Sequence, residues 1–245
     1  MKSNTHSNME IASSDILEFV KFNTGSKRWN FKLQEVVKDD KMTKSQYETN
    51  IAVIIQYFTG LRMNEVAKLS REQLIKLSKK QAIRVSLSKT KYKKERRIDI
   101  RPKNNRSSKA LHRRLIQLIK EWLQFDKSHL VTAKNMKHRT DIKIKKKNGK
   151  EYDTSYLTYL NNFNAKVNKI LKAFVEYKSD KDEDILPPHI ERLTTHGLRN
   201  NFIVATYRNK NNDLVATRRA VHHSDLSTTA RYIDKYLADI DIAEM

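Results

Sequence analysis

The sequence HHSDLSTTARY occupies residues 222–232, near the carboxyl end of a 245-residue chain, and THGLR precedes it at residues 195–199. THGLR holds a histidine and an arginine three residues apart, and the longer stretch holds a second histidine nine residues before Tyr232. A tyrosine hydroxyl is a poor nucleophile near neutral pH, so it needs cations and a polarised phosphate close by. The combination therefore predicts attack of a tyrosine on a phosphodiester, with basic groups around the phosphorus.

The charge of the chain agrees with a phosphate-rich partner. It has 50 Lys and Arg against 28 Asp and Glu, a formal net charge of +22. Such an excess destabilises a compact fold by self-repulsion unless a polyanion binds to it. A general lysine bias in composition accounts for the number of lysines better than for the net charge. We therefore expect nucleic acid to be the partner.

Other function classes are excluded by composition. The chain has no cysteine, so a disulfide framework, a thiol nucleophile and a cysteine-ligated zinc are ruled out. The apolar run at residues 51–55 is far shorter than the roughly 20 residues of a membrane-spanning helix, and the amino terminus shows no signal-peptide pattern. We expect an intracellular, DNA-associated protein with no membrane contact.

Residues 1–40 carry one amphipathic piece and too little apolar material for an independent domain, so we expect a short helical segment followed by one domain over residues 41–245. Thr43 and Gln46 form the pattern of a capping box. The helix that follows should end at Gly60, because glycine enters the left-handed conformation cheaply.

The sequence TGLRMNE follows at residues 59–65 and places Arg62 at a tight turn between two helices. Glu65, three residues later, could hold the guanidinium in position. Such a pair taken alone is more often a surface ion pair.

The periodicity of the apolar residues changes over residues 82–101, because apolar and polar side chains alternate on both sides of a basic segment. This predicts two antiparallel strands with one buried face. The basic tip is either an edge guarded by lysines or a loop that brings an ammonium group to the reacting phosphate. Lys89 and Lys91 have the same strand parity, so alternation does not choose between them. Four more basic residues of the hairpin are predicted to bind DNA: Lys93, Lys94, Arg96 and Arg97.

The remaining chain is mostly helical by its periodicity. We predict helices from Ser107 or Ser108, over residues 154–177, 196–208 and 214–221, and a last helix that Ser227 caps and that carries Tyr232. Residues 134–150 are basic and of low complexity, with a turn at Asn148–Gly149. The predicted fold class is mainly α with a small antiparallel sheet.

TGLRMNE, a basic hairpin, HGLR and HHSDLSTTARY follow one another in the order seen in the tyrosine recombinase, or phage integrase, family. The resemblance runs from about residue 43 to the end and is to the catalytic domain of that family. It implies that Arg62 and Arg199 clamp the scissile phosphate and that Glu65 supports the first of them. His196 resembles the first histidine, a proton acceptor or phosphate donor, and His223 the second, a donor to a non-bridging oxygen.

The resemblance also implies the chemistry. Tyr232 would be the nucleophile that forms a 3′-phosphotyrosine, and Lys89 or Lys91 would protonate the departing 5′ oxygen. No cofactor or metal is implied, because the arginines and the lysine balance the charge that a divalent ion would otherwise balance.

The chain departs from the family pattern at three places. His222 stands where the family usually has glycine, so either tandem histidine could face the phosphate, and the spacing to Tyr232 favours His223. The hairpin lacks the usual proline, with Asp99 near its place. Only about forty residues precede the capping box, where family members have a DNA-clamping domain, so we expect a minimal enzyme, an enzyme completed by a partner, or a fragment.

The resemblance favours a site-specific recombinase or integrase acting on double-stranded DNA as a homotetramer or with accessory subunits. A DNA-relaxing enzyme of the type IB topoisomerase kind and a non-catalytic DNA-binding relative are the alternatives. STTARY favours the recombinase over the first, and the filled catalytic positions argue against the second.

Overall fold

The computed structural model describes residues 10–24, 28–30, 35–37, 42–87, 95–131, 144–147, 150–180, 188–191, 193–223 and 225–243. The secondary structure follows the order α1 (Ser13–Thr24), β1 (Arg28–Asn30), β2 (Glu35–Val37), α2 (Lys44–Thr59), α3 (Met63–Ala67), α4 (Arg71–Ser78), β3 (Ile83–Ser86), β4 (Glu95–Ile98), α5 (Arg106–Trp122), β5 (Ile144–Lys147), β6 (Lys150–Asp153), α6 (Thr154–Ser179), α7 (Pro188–Glu191), α8 (Thr195–Asn209), α9 (Leu214–Val221) and α10 (Leu226–Ala243).

The predicted fold class is confirmed, since helices predominate and the sheets are small and antiparallel. The predicted hairpin is the pair β3 and β4, in which Ile83 lies opposite Ile98. Two further hairpins, β1 with β2 and β5 with β6, lie where no strand is predicted. The second of them replaces part of the predicted low-complexity loop. Over the described ranges, no helix is both long and apolar enough to cross a membrane.

Helix α2 is the centre of the core and has the two ends that its sequence predicts. Thr43 caps it, with its hydroxyl accepting from the Gln46 amide and the Gln46 side chain accepting from the Thr43 amide. Gly60 closes it in the left-handed conformation at φ 61°. The helix is buried on more than the one predicted face, because all five residues 51–55 are fully buried.

Helix α1 is built into the same core. Ile16, Phe19 and Val20 are buried with the side chains of α2 and α5, and the rings of Phe19 and Phe174 meet edge to face at 5.7 Å. Ile11 and the buried side chains of α1 thus belong to the same core as α2, and the division at residue 40 stays a prediction.

Two helix starts differ from the predicted ones. Helix α5 begins before Ser107, because the side chain of Asn105 caps it by accepting from the Ser108 amide at 2.7 Å. Helix α10 begins before Ser227, and the Asp225 carboxylate accepts from the Ser227 amide at 2.8 Å. In both cases an acceptor side chain two or three residues nearer the amino terminus binds an amide of the first turn.

A second, smaller cluster joins the last three helices. Ile203 and Val204 of α8, Val221 of α9 and Ile233 of α10 are buried together, and Tyr232 packs against them. This cluster holds the predicted nucleophile beside the helix that carries HGLR.

Gly60 is predicted to tolerate no side chain. A Cβ added there would lie 2.7 Å from Cγ of Phe202, and the positive φ adds strain. We expect Gly60→Ala to lower the free energy of unfolding by about 2 to 5 kcal/mol, from a left-handed penalty of ~1–2 kcal/mol and overpacking of ~1–3 kcal/mol. Urea denaturation of purified protein measures this.

Gly197→Ala is the matched control, since Gly197 lies in α8 and has no positive φ. It should leave stability unchanged or raise it slightly. In the double variant with Phe202→Leu, part of the Gly60→Ala loss should disappear. Strictly additive losses would contradict the assigned clash.

Candidate active site

Arg62 and Glu65 form a closed pair at the turn after α2. The Arg62 amide donates to Oε2 of Glu65 at 2.8 Å, and its Nη1 donates to Oε1 at 3.1 Å. Glu65 is 2% exposed, whereas a third of the Arg62 side chain is exposed. A buried carboxylate that binds both the backbone and the guanidinium leaves Arg62 few other positions. The pair is therefore more than a surface ion pair.

Arg199 lies at the centre of the site and is 6% exposed. It projects from the first turns of α8, which Thr194 caps. Its Nη1 donates to the carbonyl of Gly60, a residue 139 positions away in the sequence. Its Nη2 lies 3.0 Å from Nε2 of His223, on whose ring the Tyr232 ring stacks. The structure thus brings together HGLR, the TGLR turn and the end of the chain.

The hydrogen bonds of His223 define its tautomer. A guanidinium only donates, so Nε2 of His223 accepts from Arg199. Nδ1 then carries the proton and donates to the Thr229 hydroxyl at 2.9 Å. Both His223 and Thr229 are buried. His223 is consequently held as a neutral ring in this DNA-free structure.

The tandem histidines have different positions. His222 is the residue that ends α9, with φ 56° and ψ 42° in the left-handed region, and its side chain is exposed. Histidine tolerates this region better than most residues with a side chain. This conformation gives a physical reason for the glycine that the family pattern has here. His223, and not His222, is the one that contacts Arg199.

Tyr232 has a histidine ring near it on two sides. Its ring stacks on that of His223, with centroids 5.5 Å apart and an angle of 23° between planes. The His196 ring is 5.7 Å away and tilted by 43°. His196 is exposed at the start of α8, and Tyr232 is half-buried in α10. The predicted nucleophile and both predicted histidines are therefore neighbours.

Burial, followed by the crowding of positive charge, shapes the electrostatics of the site. Burial and then the charge of Arg62 lower the pKa of Arg199, while Glu65 and Tyr232 act in the opposite direction. Burial and then the charge of Arg199 lower the pKa of His223 to about 4, with Arg62 and Arg96 acting in the same direction. An anion placed among these groups would be strongly favoured.

The predicted DNA-binding residues of the hairpin separate into two sets. Arg96 lies on the same side of β4 as Ile98 and is 7% exposed, whereas Arg97 is on the opposite, exposed side. The predicted lysines lie outside the described residues: Lys89, Lys91, Lys93 and Lys94. Their roles stay predictions.

Sequence reasoning missed three parts of the site. The carbonyl of Gly60 holds Arg199, and any residue has a carbonyl, so no sequence signal exists for it. Thr229 orients His223 from within STTARY, where a threonine reads as an ordinary helix residue. Arg96 is predicted to bind DNA, yet its parity with Ile98 already indicated the buried face. For metals, the described side chains include no group of three or more His, Asp or Glu that could hold an ion.

Residues 31–238 match the profile of the phage integrase family. The chain belongs to the phage integrase family. The match includes all of the residues described above at the site. No curated protein matches the chain.

Solved structures of DNA complexes are similar to this integrase-family chain at low identity. The XerH site-specific recombinase bound to difH substrate, in a pre-cleavage complex, is 18% identical with a TM-score of 0.47, over 92% of this chain and 50% of that one. Its post-cleavage complex with a palindromic difH substrate is 17% identical with a TM-score of 0.48, over 99% of this chain and 55% of that one. The Tn1549 transposon integrase in complex with transposon right end DNA is 16% identical with a TM-score of 0.45, over 100% of this chain and 69% of that one. The chain thus spans about half the length of the XerH chains.

His223 predicts a pH dependence of stability. Its pKa of about 4 lies below the ordinary value of 6.5, so the unfolded chain binds a proton between these values that the folded chain does not. The contribution of His223 to stability is complete above about pH 6.5 and is lost as the pH falls toward 4. We expect an extra loss of about 1 to 2 kcal/mol between about pH 7 and pH 5.

Urea denaturation of wild type and His223→Gln at both pH values isolates this contribution. Glutamine stays neutral, so the variant should lose less stability than wild type on acidification. Equal losses in the two proteins would contradict the assignment of the low pKa to His223.

Proposed function

We propose that this protein is a site-specific DNA recombinase that cleaves and rejoins DNA strands through a 3′-phosphotyrosine on Tyr232. The observation that carries the proposal is the contact set of Arg199. One buried guanidinium meets the Gly60 carbonyl close to Arg62 and the His223 ring, and the Tyr232 ring stacks on that histidine. Two arginines next to a tyrosine form the group that phosphodiester attack by that tyrosine requires.

In the proposed step the Tyr232 oxygen bonds to the scissile phosphorus and the bond from phosphorus to the 5′ oxygen breaks. Arg62 and Arg199 donate to the non-bridging oxygens, whose negative charge increases in the transition state. The phenol proton passes to a nearby acceptor, for which His196 is the candidate at 5.7 Å between ring centroids. The 5′ oxygen leaves as a hydroxyl, protonated by Lys89 or Lys91. Rejoining reverses these bonds with another 5′ hydroxyl.

His223 enters this step with a change of protonation. In the DNA-free arrangement its Nε2 accepts from Arg199, so it has no proton there to give to a phosphate oxygen. A phosphate between the two side chains draws the guanidinium to its own oxygens and favours the charged imidazole. His223 can then donate from Nε2 while Nδ1 stays on Thr229. We propose that the site takes up a proton as the scissile phosphate binds.

Double-stranded DNA is the proposed partner. The net charge of +22 supports it, and so does the match of residues 31–238 to the phage integrase family. We further propose that the active unit on DNA is a homotetramer or an assembly with accessory subunits, because exchange of two duplexes needs four tyrosines.

Covalent trapping tests the proposal. A library of duplexes with a randomised central segment and one nick beside it is incubated with the protein, and DNA bound covalently is recovered in detergent. Cleavage close to the nick releases a short strand, which diffuses away. The cut strand then cannot be rejoined, so the covalent adduct accumulates. We expect wild type to yield an enriched duplex and Tyr232→Phe to yield no adduct, because the hydroxyl that bonds to phosphorus is gone.

Tyr207→Phe is the matched control, since Tyr207 packs against the same small cluster as Tyr232. It should form the adduct as wild type does. An adduct formed by Tyr232→Phe would contradict the nucleophile, and the absence of an adduct with wild type would contradict the proposed function.

A further inference from the structure

Arg96 is a buried arginine without an obvious structural reason for its charge. It is 7% exposed on β4, on the side of the strand that faces the core. Arginine is almost never buried to this extent unless an anion pairs with it. An apolar residue of similar length would fill the same space at lower cost.

The position of Arg96 is defined by Phe202. Its guanidinium carbon lies 5.4 Å from the centroid of the Phe202 ring, at a distance typical of a cation–π contact. That ring packs directly against Gly60, whose carbonyl accepts from Arg199. Arg96 is therefore connected to the TGLR turn and to α8 by one aromatic ring.

The charges around Arg96 are mostly of its own sign. Burial and then the charge of Arg199 lower its pKa to about 10, and Glu65 opposes this. The cluster contains three guanidiniums, those of Arg62, Arg96 and Arg199. Among the side chains described at this site, the carboxylate that offsets their charge is that of Glu65. The cluster thus carries a positive excess that a phosphate would balance.

We propose that Arg96 is a third arginine of the phosphate site, seated on Phe202, whose charge stabilises the scissile phosphate during cleavage. The inference rests on the proposed function. It assigns to Arg96 a role at the reacting phosphate instead of general binding of the DNA backbone. Arg97 on the exposed side of the same strand keeps the general role.

Substrate charge distinguishes this role from a structural one. We compare wild type, Arg96→Gln and Arg96→Lys for the rate of adduct formation on the enriched duplex. A second duplex carries a methylphosphonate at the scissile position, which replaces one charged oxygen with a methyl group. On the phosphate, Arg96→Gln should be slower than wild type by about 10- to 100-fold, and Arg96→Lys should recover part of the rate. On the methylphosphonate, the defect of Arg96→Gln should shrink to a few-fold.

Arg84→Gln is the matched control, because Arg84 lies in the same hairpin and 80% of its side chain is exposed. It should cleave both duplexes like wild type. An Arg96→Gln defect of equal size on the two duplexes, or none on either, would overturn the proposal. If wild type forms no adduct at all, the proposed function fails first and takes this inference with it.

A second measurement needs no DNA. The groups that contact His223 or act on its charge are Arg199, Thr229 and Tyr232 from the last helices, Arg62 from the TGLR turn, and Arg96 from the hairpin. Nuclear magnetic resonance titration of labelled histidines should show a higher pKa for His223 in Arg96→Gln than in wild type or Arg96→Lys. An unchanged pKa of His223 in Arg96→Gln would also overturn the proposal, because the charge of Arg96 would then not act on the site.

Discussion

The hydrogen bond from Arg199 to the carbonyl of Gly60 is the contact on which the site depends. It joins the carboxyl-terminal helices to the turn that ends α2, across 139 positions of sequence. The glycine makes it possible, because its left-handed conformation ends the helix and leaves room for the ring of Phe202. The same turn places Arg62 for its pair with Glu65. Arg62 and Arg199, from distant segments of the chain, are thereby both held at this turn before any DNA is bound.

This arrangement is costly in the absence of an anion. Burial disfavours the charged forms of Arg96, Arg199 and His223, and the neighbouring guanidiniums repel one another. The low pKa of His223, about 4, results first from burial and then from the charges of Arg199, Arg62 and Arg96. The burial and mutual repulsion of these cations in the free protein favour binding of a phosphate among them. A dianionic transition state would interact with the cluster more strongly than a monoanionic diester would.

Local sequence patterns predicted the ends of α2, the hairpin of β3 and β4, and the helix carrying HGLR, because caps, glycine and side-chain alternation act within a few residues. The resemblance named His196, Arg199, His223 and Tyr232 as one group, and the structure places them next to one another. It did not predict their physical connection, since a backbone carbonyl at Gly60 has no sequence signature and Thr229 resembles any helical threonine. The sequence also did not show which residues bury α1, because a short amphipathic helix does not reveal what packs against it. Its neighbours Phe174 and Tyr57 are far away in the sequence.

The most direct test of the central claim is a crystal structure of the Tyr232→Phe variant bound to the enriched duplex. The account predicts one phosphate whose non-bridging oxygens lie about 3 Å from the guanidiniums of both Arg62 and Arg199, with its phosphorus beside the ring at position 232. Arginines bound to two different phosphates, or a ring at position 232 turned away from the phosphorus, would contradict it.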